Sequence, residues 1–163
     1  MAKARKLLVI DDDRVQQRLV QQLARNFRSA PFDLEEALTY DDGLKKLLTG
    51  KFAACLLDYR LGDRDGLALL REARIAGSET PVIVLTADDS EEVDLAAMEA
   101  GAADYLLKGG LTPRLLERSL QSLGEAACAV VSRELVELQP ALLALTRTLD
   151  LRLTAPGVTH VSP

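Results

Sequence analysis

Apolar runs of strand length, each stopping on a charged or hydroxyl side chain and each followed by a stretch of helical periodicity, punctuate this sequence. The most demanding of them is Ala53-Ala54-Cys55-Leu56-Leu57-Asp58-Tyr59-Arg60-Leu61-Gly62. Its run ends on a single carboxylate, Asp58, after which Gly62 and Gly66 permit a turn before an amphipathic helix. A buried strand whose last residue stays ionised needs a cation or a donor waiting for it. The C-terminal end of a buried parallel strand is also where open α/β sheets assemble their chemistry.

Four further runs repeat the pattern. Lys6 to Ile10 stops at Asp11-Asp12-Asp13, and Arg14 to Phe27 follows with Val15, Leu19, Val20, Leu23 and Phe27 at helical steps. Asp33 to Tyr40, broken by Glu35-Glu36, reads as an edge strand, followed by a helix capped by Asp41 or Asp42 and closed by Gly50. A helix from about Gly66 to Ala76 follows the Asp58 run. Pro81 to Thr86 is a β-branched run ending on a hydroxyl, and Ser90 to Ala100 is an alanine-rich helix ended by Gly101. Ala103 to Leu107 ends at Lys108, and Thr112-Pro113 starts a last helix with a capping hydroxyl and proline at its first position. Alternation with short connections predicts an α/β fold, a doubly wound, five-stranded parallel sheet covered by helices on both faces. The flavodoxin-like strand order 2-1-3-4-5 suits it, with the switch point between strands one and three. Asp11-Asp12 and Asp58 then flank one crevice.

Composition narrows the field. With 163 residues, 28% charged and 48% hydrophobic, the chain suits one ordinary domain with an appendage, and neither disorder nor a membrane span. A net charge of −5 gives no broad basic surface for direct contact with nucleic acid. The apolar stretch after the basic N-terminus is too short for a signal peptide, and Cys55 and Cys128 lack metal-type spacing. Both read as reduced packing residues of a cytoplasmic protein. His160, the only histidine, stands in a Pro/Gly-containing tail, which argues against histidine catalysis.

Three carboxylates converging on a crevice repel one another, and repel any phosphate, unless a divalent cation sits among them. Magnesium suits a few carboxylates, a backbone carbonyl, waters and a phosphoryl oxygen. Thr86 and Lys108, ending strands four and five, complement the oxygens of a phosphoryl group carried on a carboxylate. Phosphoryl transfer asks little of a protein beyond a nucleophile, positioning and charge neutralisation. These residue types assign Asp58 as phosphoryl acceptor, Asp11 and Asp12 as metal holders, Lys108 as the cation and Thr86 as the sensor.

At this point the chain resembles a known family, the receiver domain of bacterial two-component response regulators, of which the chemotaxis receiver is one kind. The motifs are Val9-Ile10-Asp11-Asp12-Asp13, Leu56-Leu57-Asp58 with Asp65-Gly66, Val84-Leu85-Thr86-Ala87, and Gly101 through Lys108. The resemblance implies that Asp58 accepts phosphate from a histidine kinase or histidine phosphotransfer protein, with Mg2+ or Mn2+ as cofactor. It also implies that Asp12 is the direct metal ligand, that Asp11 acts partly through water, and that the Arg60 backbone carbonyl adds an oxygen. Asp13 matches a variable position. Tyr105 matches an aromatic that turns inward as the threonine moves, remodelling the face of helix four, strand five and helix five. The implied role is signalling rather than enzymatic.

The chain departs from the family's pattern at several positions. Gly109-Gly110 follows Lys108 where proline is usual, so a trans, more mobile loop is expected, because a cis bond is costly without proline. Gly62 stands where many members carry proline, which should loosen the loop after Asp58. Arg60 and Asp88 stand where an ion pair across the mouth would slow hydrolysis of the acyl phosphate. Asp11-Asp12-Asp13-Arg14-Val15 also resembles the pattern of haloacid-dehalogenase-type phosphatases, with Asp11 as nucleophile and Asp13 as acid/base, but that reading leaves Asp58 without a task. Residues 1–123 are expected to form the receiver domain and 124–163 a helical extension with a flexible tail. Leucine spacing from Leu116 to Leu149, interrupted at Pro140, suits equally an extra helix packed on its own domain or a helix that serves a homodimer, a downstream protein partner or a connector to an output domain. The chain then reads as a stand-alone receiver or as the N-terminal piece of a longer regulator.

Overall fold

The computed structural model describes residues 4–29 and 31–123. The expectations placed on residues 124–163, including those for Cys128, His160 and the leucine spacing, lie outside the described residues. Five strands, β1 (Arg5–Ile10), β2 (Phe32–Ala37), β3 (Ala54–Asp58), β4 (Val82–Thr86) and β5 (Asp104–Leu107), form one parallel sheet in the order β2-β1-β3-β4-β5. This is the expected doubly wound order, with β2 at an edge. The helices are α1 (Arg14–Arg25), α2 (Tyr40–Leu47), α3 (Gly66–Ile75), α4 (Glu91–Glu99) and α5, described over residues 113–123.

Strand periodicity divides the core between the two faces of the sheet. Leu8, Ile10, Cys55, Leu57, Val82 and Val84 pack with Leu47, Leu70 and Ala97 of α2, α3 and α4. Their alternates Leu7, Val9, Leu56, Ile83 and Leu85 pack with Val20 and Leu23 of α1 and with Leu116 and Leu120 of α5. Side chains on successive strand residues point to opposite faces, so one apolar run supplies both layers. Cys55 is fully buried, and burial drives its thiol pKa upward, which suits a packing role.

Caps fix where the helices begin. Asp13, Ser90 and Thr112 accept from the N–H groups of Val15, Val93 and Leu115 at 2.8, 3.4 and 3.1 Å. The cap of α2 is Thr39, whose hydroxyl accepts from Asp42 N, and not Asp41 or Asp42 as expected. Those aspartates lie in the first turn, where they still favour the helix dipole. On α1 the expected apolar stripe is half right: Val20 and Leu23 are buried, whereas Val15 is 70% exposed. Gln17 takes the buried place instead.

Candidate functional site

The C-terminal ends of β1, β3, β4 and β5 bring Asp11, Asp58, Thr86 and Lys108 together, although they are far apart in sequence. Strand register explains the convergence. Ile10 lies beside Leu57, Asp58 beside Leu85, and Thr86 beside Leu107, so the residues at or just beyond each end share a rim. Asp12, Asp58, Arg60, Thr86, Asp88 and Lys108 line one cleft of about 680 Å³. Asp11, Asp58 and Thr86 are buried, whereas Asp12 is exposed.

Charge is concentrated here. The Lys108 ammonium lies 3.0 Å from Asp58 Oδ1 and 3.1 Å from Asp11 Oδ2, bridging the two buried carboxylates. Asp58 Oδ1 also accepts from the Arg60 N–H at 3.4 Å, and Asp11 Oδ1 accepts from the Asp13 N–H at 2.9 Å. Burial and the neighbouring Asp11 charge push the Asp58 pKa up to about 6, against the pull of Lys108. Burial works against the Lys108 charge, but its hydrogen bond to Asp58 and the charges of both carboxylates outweigh that and hold its pKa above the ordinary lysine value. Carboxylate oxygens of Asp11, Asp12 and Asp58 lie within 4.8 Å of one another. Three hard oxygen donors with one ammonium between them leave negative charge that a divalent cation would neutralise, so the residues fit such an ion.

The two expected switch residues meet on Asp88. Thr86 Oγ1 accepts from the Asp88 N–H at 3.1 Å, and the Tyr105 hydroxyl donates to the Asp88 carbonyl at 2.7 Å. The backbone of one residue therefore joins the buried hydroxyl to the half-buried aromatic.

Three expectations need correction or completion. Arg60 and Asp88 line the same cleft, but no ion pair within 4.0 Å joins them among the described residues. Both side chains are exposed, and water screens their attraction. The loop after Asp58, where Gly62 stands in place of proline, has a defined pairing. Arg60–Leu61 and Arg64–Asp65 pair as an antiparallel ribbon, and Gly62, at φ 62°, opens its two-residue turn. At the Lys108-Gly109 position there is no cis peptide bond; Lys108–Gly110 is a turn of 3₁₀ helix.

Gln17 was missed altogether. Its buried Nε2 donates to the Asp11 carbonyl at 2.9 Å and to the Ala37 carbonyl at 3.0 Å, tying the end of β1 to the end of β2 beside the site. The clue was a polar residue three positions before Val20, on the stripe that α1 turns inward. Replacing it with leucine leaves the Asp11 carbonyl without that donor, whereas the Ala37 carbonyl keeps the Asp11 N–H at 3.1 Å. Gln17→Leu is expected to lower stability by about 1–3 kcal/mol, the usual consequence of one orphaned buried group; urea unfolding checks it. Asp13, the acid/base of the phosphatase reading, is occupied as the α1 cap.

Comparisons with known proteins converge on one family. The family model for the response regulator receiver domain matches residues 7–120. The transcriptional regulatory protein DltR of Streptococcus agalactiae is 35% identical over 113 residues, 69% of this chain and 49% of its own. The swarming motility regulation protein RssB of Serratia marcescens is 37% identical over 112 residues, covering 69% of this chain and 50% of its own. The chain thus spans about half the length of the curated relatives it matches. A CheY-like response regulator receiver domain protein from Methanospirillum hungatei superposes with a TM-score of 0.65 at 29% identity, over 76% of this chain and 96% of that one.

Proposed function

Because the chain belongs to the response regulator receiver family of two-component systems, we propose that Asp58 is its phosphoacceptor, loaded from a phosphohistidine of a histidine kinase or histidine phosphotransfer protein. Receiver domains of this family work with such kinases and with output domains, and they bind Mg2+ at an acidic cluster. The observation that carries the assignment is the buried Asp58 carboxylate at the end of β3, faced by Lys108 at 3.0 Å and with Asp11 and Asp12 in reach of the same ion.

Asp11, Asp12 and Asp58 are the side chains that would hold Mg2+, with the Arg60 carbonyl as a further oxygen. Bound there, the ion supplies positive charge opposite the phosphoryl oxygens. Both contacts to the Asp58 carboxylate fall on Oδ1, which leaves Oδ2 to attack phosphorus. The new P–O bond forms as the P–N bond breaks, and the imidazole nitrogen departs with its electron pair. Lys108 moves its charge from Asp11 to the phosphoryl oxygens. Thr86 turns its hydroxyl from the Asp88 N–H toward the same oxygens, and Tyr105 follows through its bond to Asp88. The face formed by α4, β5 and α5 carries the signal to a downstream partner, to an output domain, or to a second copy of the chain through residues 124–163.

This reading makes the chain a signalling switch that promotes only its own phosphorylation and dephosphorylation. Among the described residues no helix is long and apolar enough to cross a membrane. The two cysteines, which lack metal-type spacing and read as reduced packing residues, support a cytoplasmic site of action. Intact-mass measurement after incubation with a small-molecule phosphodonor tests the assignment. One Mg2+-dependent phosphoryl adduct is expected on the wild type and none on Asp58→Asn. An adduct surviving in Asp58→Asn would instead favour the phosphatase-like reading with Asp11 as nucleophile.

A further inference from the structure

Helix α4 carries apolar residues on both of its sides. Val93 and Ala97, with Ala100 at the C-cap, face inward and are buried. Leu95 and Met98, three residues apart on the opposite side, are 59% and 54% exposed. Carboxylates surround that pair. By helical spacing Glu91 stands one turn before Leu95 on the same line, Asp94 borders one flank, and Glu92 and Glu99 border the other. Asp88 and Asp89 add to them just before the capping Ser90. All are exposed and α4 has no basic residue; among the described residues no ion pair holds any of them. Their charge reaches Tyr105 of β5, where burial and then the charges of Asp89, Asp94 and Asp88 hold the hydroxyl pKa above the ordinary tyrosine value.

Helix stability explains only part of this pattern. Acids in the first turn favour the macrodipole, which accounts for Glu91, Glu92 and Asp94. Glu99, the last residue of α4, opposes the dipole, and Leu95 and Met98 gain nothing by facing water. We propose that this face of α4 docks a cationic segment with apolar anchors, rich in lysine or arginine, on the protein partner to which the receiver signals. Leu95 and Met98 supply the dry centre, the flexible methionine adapting to the anchor. The carboxylates supply a rim that steers the partner in and turns away acidic surfaces. The proposal rests on the reading of Asp58 as phosphoacceptor, because one segment serves both ends. Asp88 donates its N–H to Thr86 and accepts from Tyr105 through its carbonyl, directly before the acids of α4. A partner held by that segment and a phosphoryl group sensed through it bias one another equally.

Fluorescence anisotropy of a labelled amphipathic peptide of leucine and lysine, titrated with the full chain at low and at physiological salt, tests this. Binding that weakens with salt is expected, and none for the matching peptide of leucine and glutamate. Leu95→Ser combined with Met98→Ser is expected to weaken binding about tenfold or more, the scale of a central interface anchor. Glu99→Lys is expected to weaken it about fivefold. Asp33→Lys makes the same change of charge on the exposed edge strand β2 and is expected to stay within about twofold of wild type. Absent binding, wild-type affinity in the Leu95 and Met98 double variant, a loss in Asp33→Lys equal to that in Glu99→Lys, or capture of the glutamate peptide overturns the proposal. So does a homodimer, seen by sedimentation, that the same double variant abolishes. Repeating the titration after treatment with a small-molecule phosphodonor and Mg2+ separates the proposal from its premise. A severalfold change in affinity is expected in the phosphorylated chain, and an unchanged one overturns the partner role. A chain whose Asp58 accepts no phosphate overturns the premise, while the α4 measurements on the unmodified chain still stand.

Discussion

Gly66→Ala is expected to destabilise the domain by about 3 kcal/mol, a large part of the 5–15 kcal/mol that holds most domains folded. A Cβ on Gly66 would lie 2.0 Å from the Asp58 carbonyl oxygen and 3.1 Å from the Tyr59 carbonyl oxygen. Both neighbours are backbone, so no side chain can swing aside. Relief requires α3 to back away from β3 or the end of β3 to bend. Either movement breaks the Gly66 N–H to Tyr59 carbonyl bond of 2.8 Å and strains the Tyr59 N–H to Leu85 carbonyl bond of 2.9 Å. Because the contact is with Asp58 itself, phosphorylation from a small-molecule donor should fall along with stability. Gly109→Ala is the control: among the described residues nothing lies within 4 Å of a Cβ there, φ is not positive, and the variant should melt with the wild type. Urea midpoints for the two variants decide the matter, with an unshifted midpoint for Gly66→Ala as the refuting result.

These two glycines show how far the sequence could be read. That Gly66 follows a strand and opens a helix is visible in the residue order. That the helix starts in contact with the Asp58 carbonyl depends on how α3 crosses β3, and no local pattern encodes it. The sheet was legible because a strand buried on both faces must be apolar throughout, and Leu56, Leu57, Ile83 and Val84 announce that. The convergence of Asp11, Asp58, Thr86 and Lys108 was legible because each stands where an apolar run stops. Gln17 was not, because a polar residue on an inward helical stripe is unexplained until its carbonyl partners are known. Nor was the ribbon after Asp58. Its strands are too short for periodicity to register, and what holds it is Arg64 on Tyr40, a contact made across the fold. Arg60 and Asp88 show the opposite error, since nearness in the cleft does not bind two exposed charges.

The balance of charge around Lys108 predicts two substitutions of opposite sign. Lys108→Met keeps most of the stem but removes the cation that lies 3.0 Å from Asp58 and 3.1 Å from Asp11, leaving two buried carboxylates facing each other. Breaking a buried pair on one side typically costs about 3–5 kcal/mol, and a loss near the lower end is expected at pH 7.5 without Mg2+. Asp58→Asn removes one of the repelling charges and should stabilise. The Asp58 pKa of about 6 in the folded protein lies above the value of about 3.9 in an unfolded chain, so between those limits the folded state binds more protons. Ionised Asp58 therefore opposes folding at pH 7.5, and that penalty is relieved as pH falls from about 6 toward 4. Asp58→Asn should gain about 1–2 kcal/mol at pH 7.5, less than the full shift implies because the cleft opens to water, and nothing near pH 4. Lys108, with its raised pKa, stabilises the folded state at pH 7.5 and loses that contribution as pH rises through its pKa, whereas below about pH 6 protonation of Asp58 removes one of the charges it pairs with. Mg2+ is expected to narrow the gap, because an ion that binds only the folded state would stabilise wild type and Lys108→Met more than Asp58→Asn. Melting curves at pH 7.5 and pH 5, each with chelator and with Mg2+, read all of this. An Asp58→Asn variant less stable than wild type in chelator at pH 7.5 would mean that Lys108 and the surrounding donors already compensate the buried charge, and that the site is not poised to receive a cation.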